Sequence, residues 1–168
     1  RRKPGVEKIG MALFIAAEAM FFAGLISAYL VFRAGNADWP PAGQPRLPVA
    51  STAFNSLILI LSAVWTHLSV GMARRARWRP AIYTLGAALV FGLFFLVLQG
   101  REWIRLVQFG LTLTSSIYGA LFYTIIGTHG LHVMGGVAFL FVALIRAVER
   151  RCVDKARLFL EVSRMFWN

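Results

Sequence analysis

Four ionisable side chains stand inside apolar runs of this 168-residue chain: Glu18, His67, His129 and His132. Groups of that kind are costly in a bilayer, and each calls for a partner or a task. Imidazole and carboxylate together suit three kinds of chemistry. They can ligate a metal or haem, hand on protons, or hydrogen-bond between packed helices. His129 and His132 are spaced i and i+3, so they share a helix face, and they lie in the glycine-rich run GTHGLHVMGG over 127–136.

Counting partners weighs these chemistries against one another. A haem clamped between helices needs two histidines on two spans, and His67 with His129 or His132 is the one pairing on offer. The depths differ, because His129 and His132 fall within a turn or two of the expected bilayer centre and His67 about two turns from a helix end. A non-haem metal wants a third ligand, for which Glu18 is the central candidate. The single Cys152 excludes an internal disulfide and a thiolate cluster. A proton relay has Glu18 and a histidine, but the remaining acids lie at span ends, so a self-sufficient pump is not expected. Glu18 is expected uncharged where it meets lipid or dry protein. Packing is the plainest reading: histidines bond to neighbouring helices while Gly127, Gly130, Gly135 and Gly136 let those helices close in. Ligation and proton handling stay open beside it.

These residues need membrane helices to carry them. The chain is 58% hydrophobic with mean hydropathy +0.67, above what a soluble domain of this size shows. Apolar runs predict spans at about 9–32, 52–72, 80–100 and 117–146, and 158–168 starts to turn apolar again. The expected fold is all-α: one polytopic transmembrane domain over 1–168, with four spans and the start of a fifth. The first run sits behind Arg1-Arg2-Lys3 as a signal peptide would. Its length, and its lack of a small-residue cleavage site, read as a retained span. Residues 34–48 hold four of the six prolines and suit an interfacial turn. Ser51 or Thr52 is the expected N-cap of the second span, and Pro80 falls in the first turn of the third, where a missing N–H is tolerated.

Charge sets the expected orientation. If the spans alternate, one face holds Arg1, Arg2, Lys3, Lys8, Arg74, Arg75, Arg77, Arg79, Arg146, Arg150, Arg151, Lys155, Arg157 and Arg164. The other holds Arg33, Arg46, Arg101 and Arg105, a ratio of fourteen to four. The positive-inside rule puts the basic face, with the N-terminus, in the cytoplasm. The 18 basic against 7 acidic residues do not point to nucleic acid, because they occupy short loops and not a soluble basic surface. The arginine loop also attracts anionic lipid, at about 1 kcal/mol per side chain. Trp39, Trp65, Trp78 and Trp103 are expected in the interfacial belts, and Glu102 beside Arg101 or Arg105.

Five ordered blocks carry a family resemblance: GMALFIAAEAMFFAGLISAYLVFR, WPPAG, NSLILILSAVWTHLS, LQGREW and SSIYGALFYTIIGTHGLHVMGG. In order and spacing, from about Lys8 to Arg146, the chain resembles subunit III of the haem–copper respiratory oxidases. The resemblance implies a non-catalytic core subunit that sustains subunit I during turnover and holds phospholipids in a cleft. Subunits I and II are then its partners and a larger respiratory supercomplex a further one. No cofactor is expected on this chain, since haem and copper reside in those partner subunits. A bacterial inner membrane is the expected location. By position Glu18 matches the family's buried carboxylate, and His67, Glu102, His129, His132 and Arg146 match other characteristic polar positions. Glu161 matches the acid opening the final helix.

The chain also departs from the family pattern. The first two of seven family spans are missing, as in the shorter five-span bacterial type, and Asn168 stands where a histidine follows the aromatic–Trp pair. The start at Arg1 and the stop on the first turns of an apolar helix set the expectation of an incomplete copy. A quinol oxidase subunit III, or a subunit-III-like protein accompanying nitric oxide reductase, fits the same blocks. A haem-binding cytochrome is the reading from outside that class.

Overall fold

The computed structural model describes residues 4–41, 49–149 and 153–167. Arg1, Arg2, Lys3, Arg46, Arg150, Arg151, Cys152 and Asn168, which enter the charge count and the sequence comparison above, lie outside the described residues. Five helices follow in order: α1 (Pro4–Ala34), α2 (Val49–Arg74), α3 (Trp78–Gln108), α4 (Ile117–Glu149) and α5 (Val153–Trp167). The first four are long and apolar enough to cross a membrane, so this is a multi-pass membrane protein. All four extend beyond the expected spans. The interfacial residues Arg101, Glu102 and Trp103 therefore lie within α3, and Ser51 and Thr52 lie inside α2 instead of capping it.

Small polar residues bring α2 and α3 together. Ser62 Oγ donates to the Ala88 carbonyl at 2.7 Å, and Ser69 Oγ to that of Ala81 at 2.8 Å. Both serines are fully buried. Thr66 and Thr84 return their hydroxyls to their own helices, so every one of these donors is satisfied where water is absent. The core continues through Leu85, Leu89 and Phe95 to Val133, Val137 and Leu140 of α4, with Leu160 of α5 closing it.

Backbone geometry ends the helices where the sequence allows it. Gly110, at φ +85°, terminates α3: its N–H donates to Val107 O and that of Leu111 to Leu106 O, both at 3.0 Å. That is the Schellman arrangement, with the accompanying apolar contact between Leu106 and Leu111. Ser116 caps α4 through a 3.0 Å bond from the Gly119 N–H. After α2 the turn is made by Ala76 at φ +58°, the left-handed region glycine usually occupies.

The helices are unequally held. α5 packs on α1, α2 and α4, whereas α1 packs on α4 and α5 alone among the described helices. No residue in the most apolar stretch of α1 is buried, so it stands as an outer wall beside a groove.

Candidate functional site

That groove lies between α1, α4 and α5. Its deeper part is a cavity of about 560 Å³ lined by Met11, Phe14 and Glu18 of α1, Leu131, His132 and Phe139 of α4, and Phe166 of α5. A second cavity of about 300 Å³ lies at the end of the helices where α4 meets α5, lined by Arg146, Lys155, Leu158, Phe159 and Val162. Glu7 lines both. The two thus adjoin at Glu7, the smaller with Arg146 and Lys155 at the helix ends and the larger mostly apolar in its lining. Glu7 to Glu18 is eleven residues of α1, about 16 Å at helical rise, which is about half the bilayer's hydrocarbon thickness.

Glu18 has a polar partner on the facing helix. Its Oε2 and Oε1 lie 3.0 and 3.1 Å from His132 Nδ1, and both side chains are about a quarter exposed. One proton completes this bond whether it rides on the imidazole or the carboxyl. Aromatic rings hold the pair in place. Phe166 stacks on His132 with centroids 4.4 Å apart, and Phe22 stands edge-on to both His129 and His132. The spacing expected to bring the two histidines onto one face does so, with rings nearly parallel at 6.4 Å.

The other sequence candidates are dispersed. His67 is exposed on α2, its Nδ1 3.4 Å from Arg164 of α5. Arg164 and Phe166 are two residues apart and so point to nearly opposite sides of α5. His67 and the His129/His132 pair therefore meet different faces of that helix, and the geometry does not support a haem clamped between them. Among the described residues no three His, Cys, Asp or Glu converge as a metal site. Glu102 pairs with Arg105 at 3.4 Å, on the partly exposed end of α3. Arg146 sets its guanidinium 4.8 Å above the Phe159 ring at the mouth of the groove.

Glu161 is central to the closure of the groove. It is 9% exposed and binds across two helices, to Lys8 of α1 and to Arg74 Nε of α2 at 2.9 Å. Burial alone would raise its pKa, but the hydrogen bonds and charges of Lys8 and Arg74 outweigh that and hold it below the ordinary glutamate value. Arg157, one turn before it, donates to the Ala73 carbonyl at 3.4 Å.

The glycines act selectively. A Cβ on Gly136 would come within 2.4 Å of the Trp167 ring, and one on Gly92 within 3.1 Å of the same ring. The two form the slot that admits Trp167. Gly130 receives Trp103, whose ring thus faces α4 and not only a lipid belt, while Gly127 approaches nothing. Sequence reasoning missed Glu7, Lys8, Arg74, Phe14, Phe139, Phe166 and Trp167. A lone acid among the N-terminal cations could have flagged Glu7; the aromatics carry no such signal.

The comparison with known families decides the identity. The cytochrome c oxidase subunit III family matches residues 3–168. The chain belongs to that family. It is 37% identical to a protein of Mycobacterium leprae (strain TN) named "Probable cytochrome c oxidase subunit 3", over 99% of this chain and 82% of the relative. It is 34% identical to the protein of that name from Nocardia farcinica (strain IFM 10152), again over 99% and 82%. A cytochrome c oxidase subunit 3 of Synechocystis sp. (strain ATCC 27184 / PCC 6803 / Kazusa) is 31% identical, over 98% of this chain and 70% of its own length. Membership in the subunit III family makes this chain one component of a multi-subunit haem–copper oxidase.

Proposed function

We propose that this chain is the non-catalytic subunit III of a cytochrome c oxidase in a bacterial inner membrane, with its N-terminus cytoplasmic. It packs beside subunits I and II, which carry the haem and copper, and it holds a phospholipid whose presence keeps subunit I working through repeated turnover. The observation that carries this reading is the pair of cavities that adjoin at Glu7. Cations stand at one cavity, where a headgroup would lie, apolar side chains line the other, and both lie beside an α1 whose most apolar stretch has no buried residue. The fourteen-to-four asymmetry of basic residues supports the orientation. Within this arrangement Glu18 and His132 close the inner end of the groove and pin α1 to α4.

Removal of the chain from the oxidase is the direct test. Intact haem spectra with a shortened working life, or with slowed proton uptake, support the reading. Loss of haem on deletion argues instead for an assembly role. An oxidase that keeps its full lifetime without the chain refutes the proposal.

A further inference from the structure

We infer that the cap joining α3 to α4 docks a water-exposed domain of another subunit of the oxidase. The docked surface is apolar at its centre and acidic at its rim. The cap comprises the last turns of α3, residues 109–116 and the first turn of α4, at the end of the bundle opposite the basic one. None of its residues lines the cavities beside α1.

Depth along α3 places this cap outside the bilayer. Arg79 and Arg101 lie 22 residues apart on one helix, about 33 Å at helical rise and about 31 Å at a tilt of about 20°. That matches a hydrocarbon thickness of about 30 Å. Phe109 ends the helix eight residues beyond Arg101, about 11 Å further out and past a headgroup layer of about 5–8 Å. Acyl chains do not reach that height, yet Val107, Phe109, Leu113 and Ile117 are each half exposed or more. Four large apolar side chains within eleven residues, facing neither hydrocarbon nor a protein core, mark a protein contact.

The mount beneath them is rigid. Leu111 is fully buried, and its carbonyl accepts the Tyr123 hydroxyl at 2.8 Å. Ser115 Oγ donates to the Thr112 carbonyl at 2.9 Å and accepts the Thr112 N–H at 3.2 Å. With the Schellman turn at Gly110, the loop is fixed before a partner arrives, so little ordering entropy opposes docking. Charge then specifies the partner. Residues 101–117 hold Arg101 and Arg105 against Glu102 alone. Glu102 is engaged by Arg105 at 3.4 Å, while the exposed Arg101 has no partner among the described residues. An apolar centre beside an unpaired guanidinium is complemented by an apolar surface with an acidic rim. Membership in a multi-subunit oxidase supplies the neighbouring subunits.

The test is photo-crosslinking in the purified oxidase complex, with Phe109→p-benzoylphenylalanine and, as a second variant, Leu113→p-benzoylphenylalanine. Peptide mass spectrometry identifies what each position touches, and an unchanged haem spectrum and melting temperature certify assembly. Both positions are expected to join one segment of another subunit that lies outside its apolar spans and contains Asp or Glu. Arg101→Glu should lower the yield of that product about threefold, the scale of one rim ion pair. A product with phospholipid, with an apolar span or with a second copy of this chain overturns the proposal, as does the absence of any protein product at both positions. An unchanged yield with Arg101→Glu overturns the acidic character of the partner.

Discussion

Arg74 of α2 donates from Nε to Glu161 Oε1 of α5 at 2.9 Å, and the other carboxylate oxygen of Glu161 is held by Lys8 of α1. One acid thereby joins three helices at the basic end of the bundle. Its pKa lies below the ordinary glutamate value of 4.5, so the folded state favours the carboxylate. The stability this provides is fully present above pH 4.5 and is lost as pH falls through the lower folded value. Thermal melts of the purified complex should be insensitive to this group from pH 7 to 5 and decline on further acidification. Glu161→Gln should lower stability at pH 7 by about 1–3 kcal/mol and flatten the acid limb.

The Trp167 slot predicts a contrast between glycines. Gly136→Ala places a methyl 2.4 Å from the ring and forces α5 outward, at a cost of about 1–3 kcal/mol. Gly127→Ala, with nothing within 4 Å, should leave the melting temperature unchanged or raise it slightly. Equal melting temperatures for the two variants would disprove the slot.

Glu18 and His132 should act as a unit. In a double-mutant cycle, Glu18→Gln and His132→Asn are each expected to destabilise the α1 attachment, and the pair to cost less than the sum. The coupling should be about 0.5–3 kcal/mol. Limited proteolysis in the α1–α2 connection gives an independent reading, with faster cutting expected in each single variant.

Ala76 offers a gain. Its φ of +58° costs an L-residue about 1 kcal/mol that glycine does not incur. Ala76→Gly should therefore raise the melting temperature without altering activity, since the residue lies in the short turn between α2 and α3 and away from the groove.

Legibility followed the range of each interaction. Four spans were readable because burial in a bilayer leaves unbroken apolar runs, and the shared face of His129 and His132 followed from helical period alone. Glu102 beside Arg105 is a local pair and was readable for the same reason. The partner of Glu18 was not, because His132 is 114 residues away and only the packing of α1 on α4 brings the two together. Glu161 resembled a family acid by position, yet nothing in LFLEVSRMFW shows that its partners stand on α1 and α2. The serines of α2 read as ordinary polar residues until α3 supplied the carbonyls of Ala81 and Ala88. The helices run past the apolar spans because charged residues at a membrane boundary continue a helix as readily as they end it.

Among the described helices α1 rests on α4 and α5 alone, so it meets none of them until those two exist. During synthesis, 114 residues separate Glu18 from His132, which is on the order of ten seconds of translation. Throughout that interval α1 sits in lipid with its carboxyl unmatched by His132, while α2 and α3 can already zip together. Among the described helices α1 is thus fastened after the pair made later than itself, and a chaperone or insertase that shields an unpaired membrane acid would find its client there.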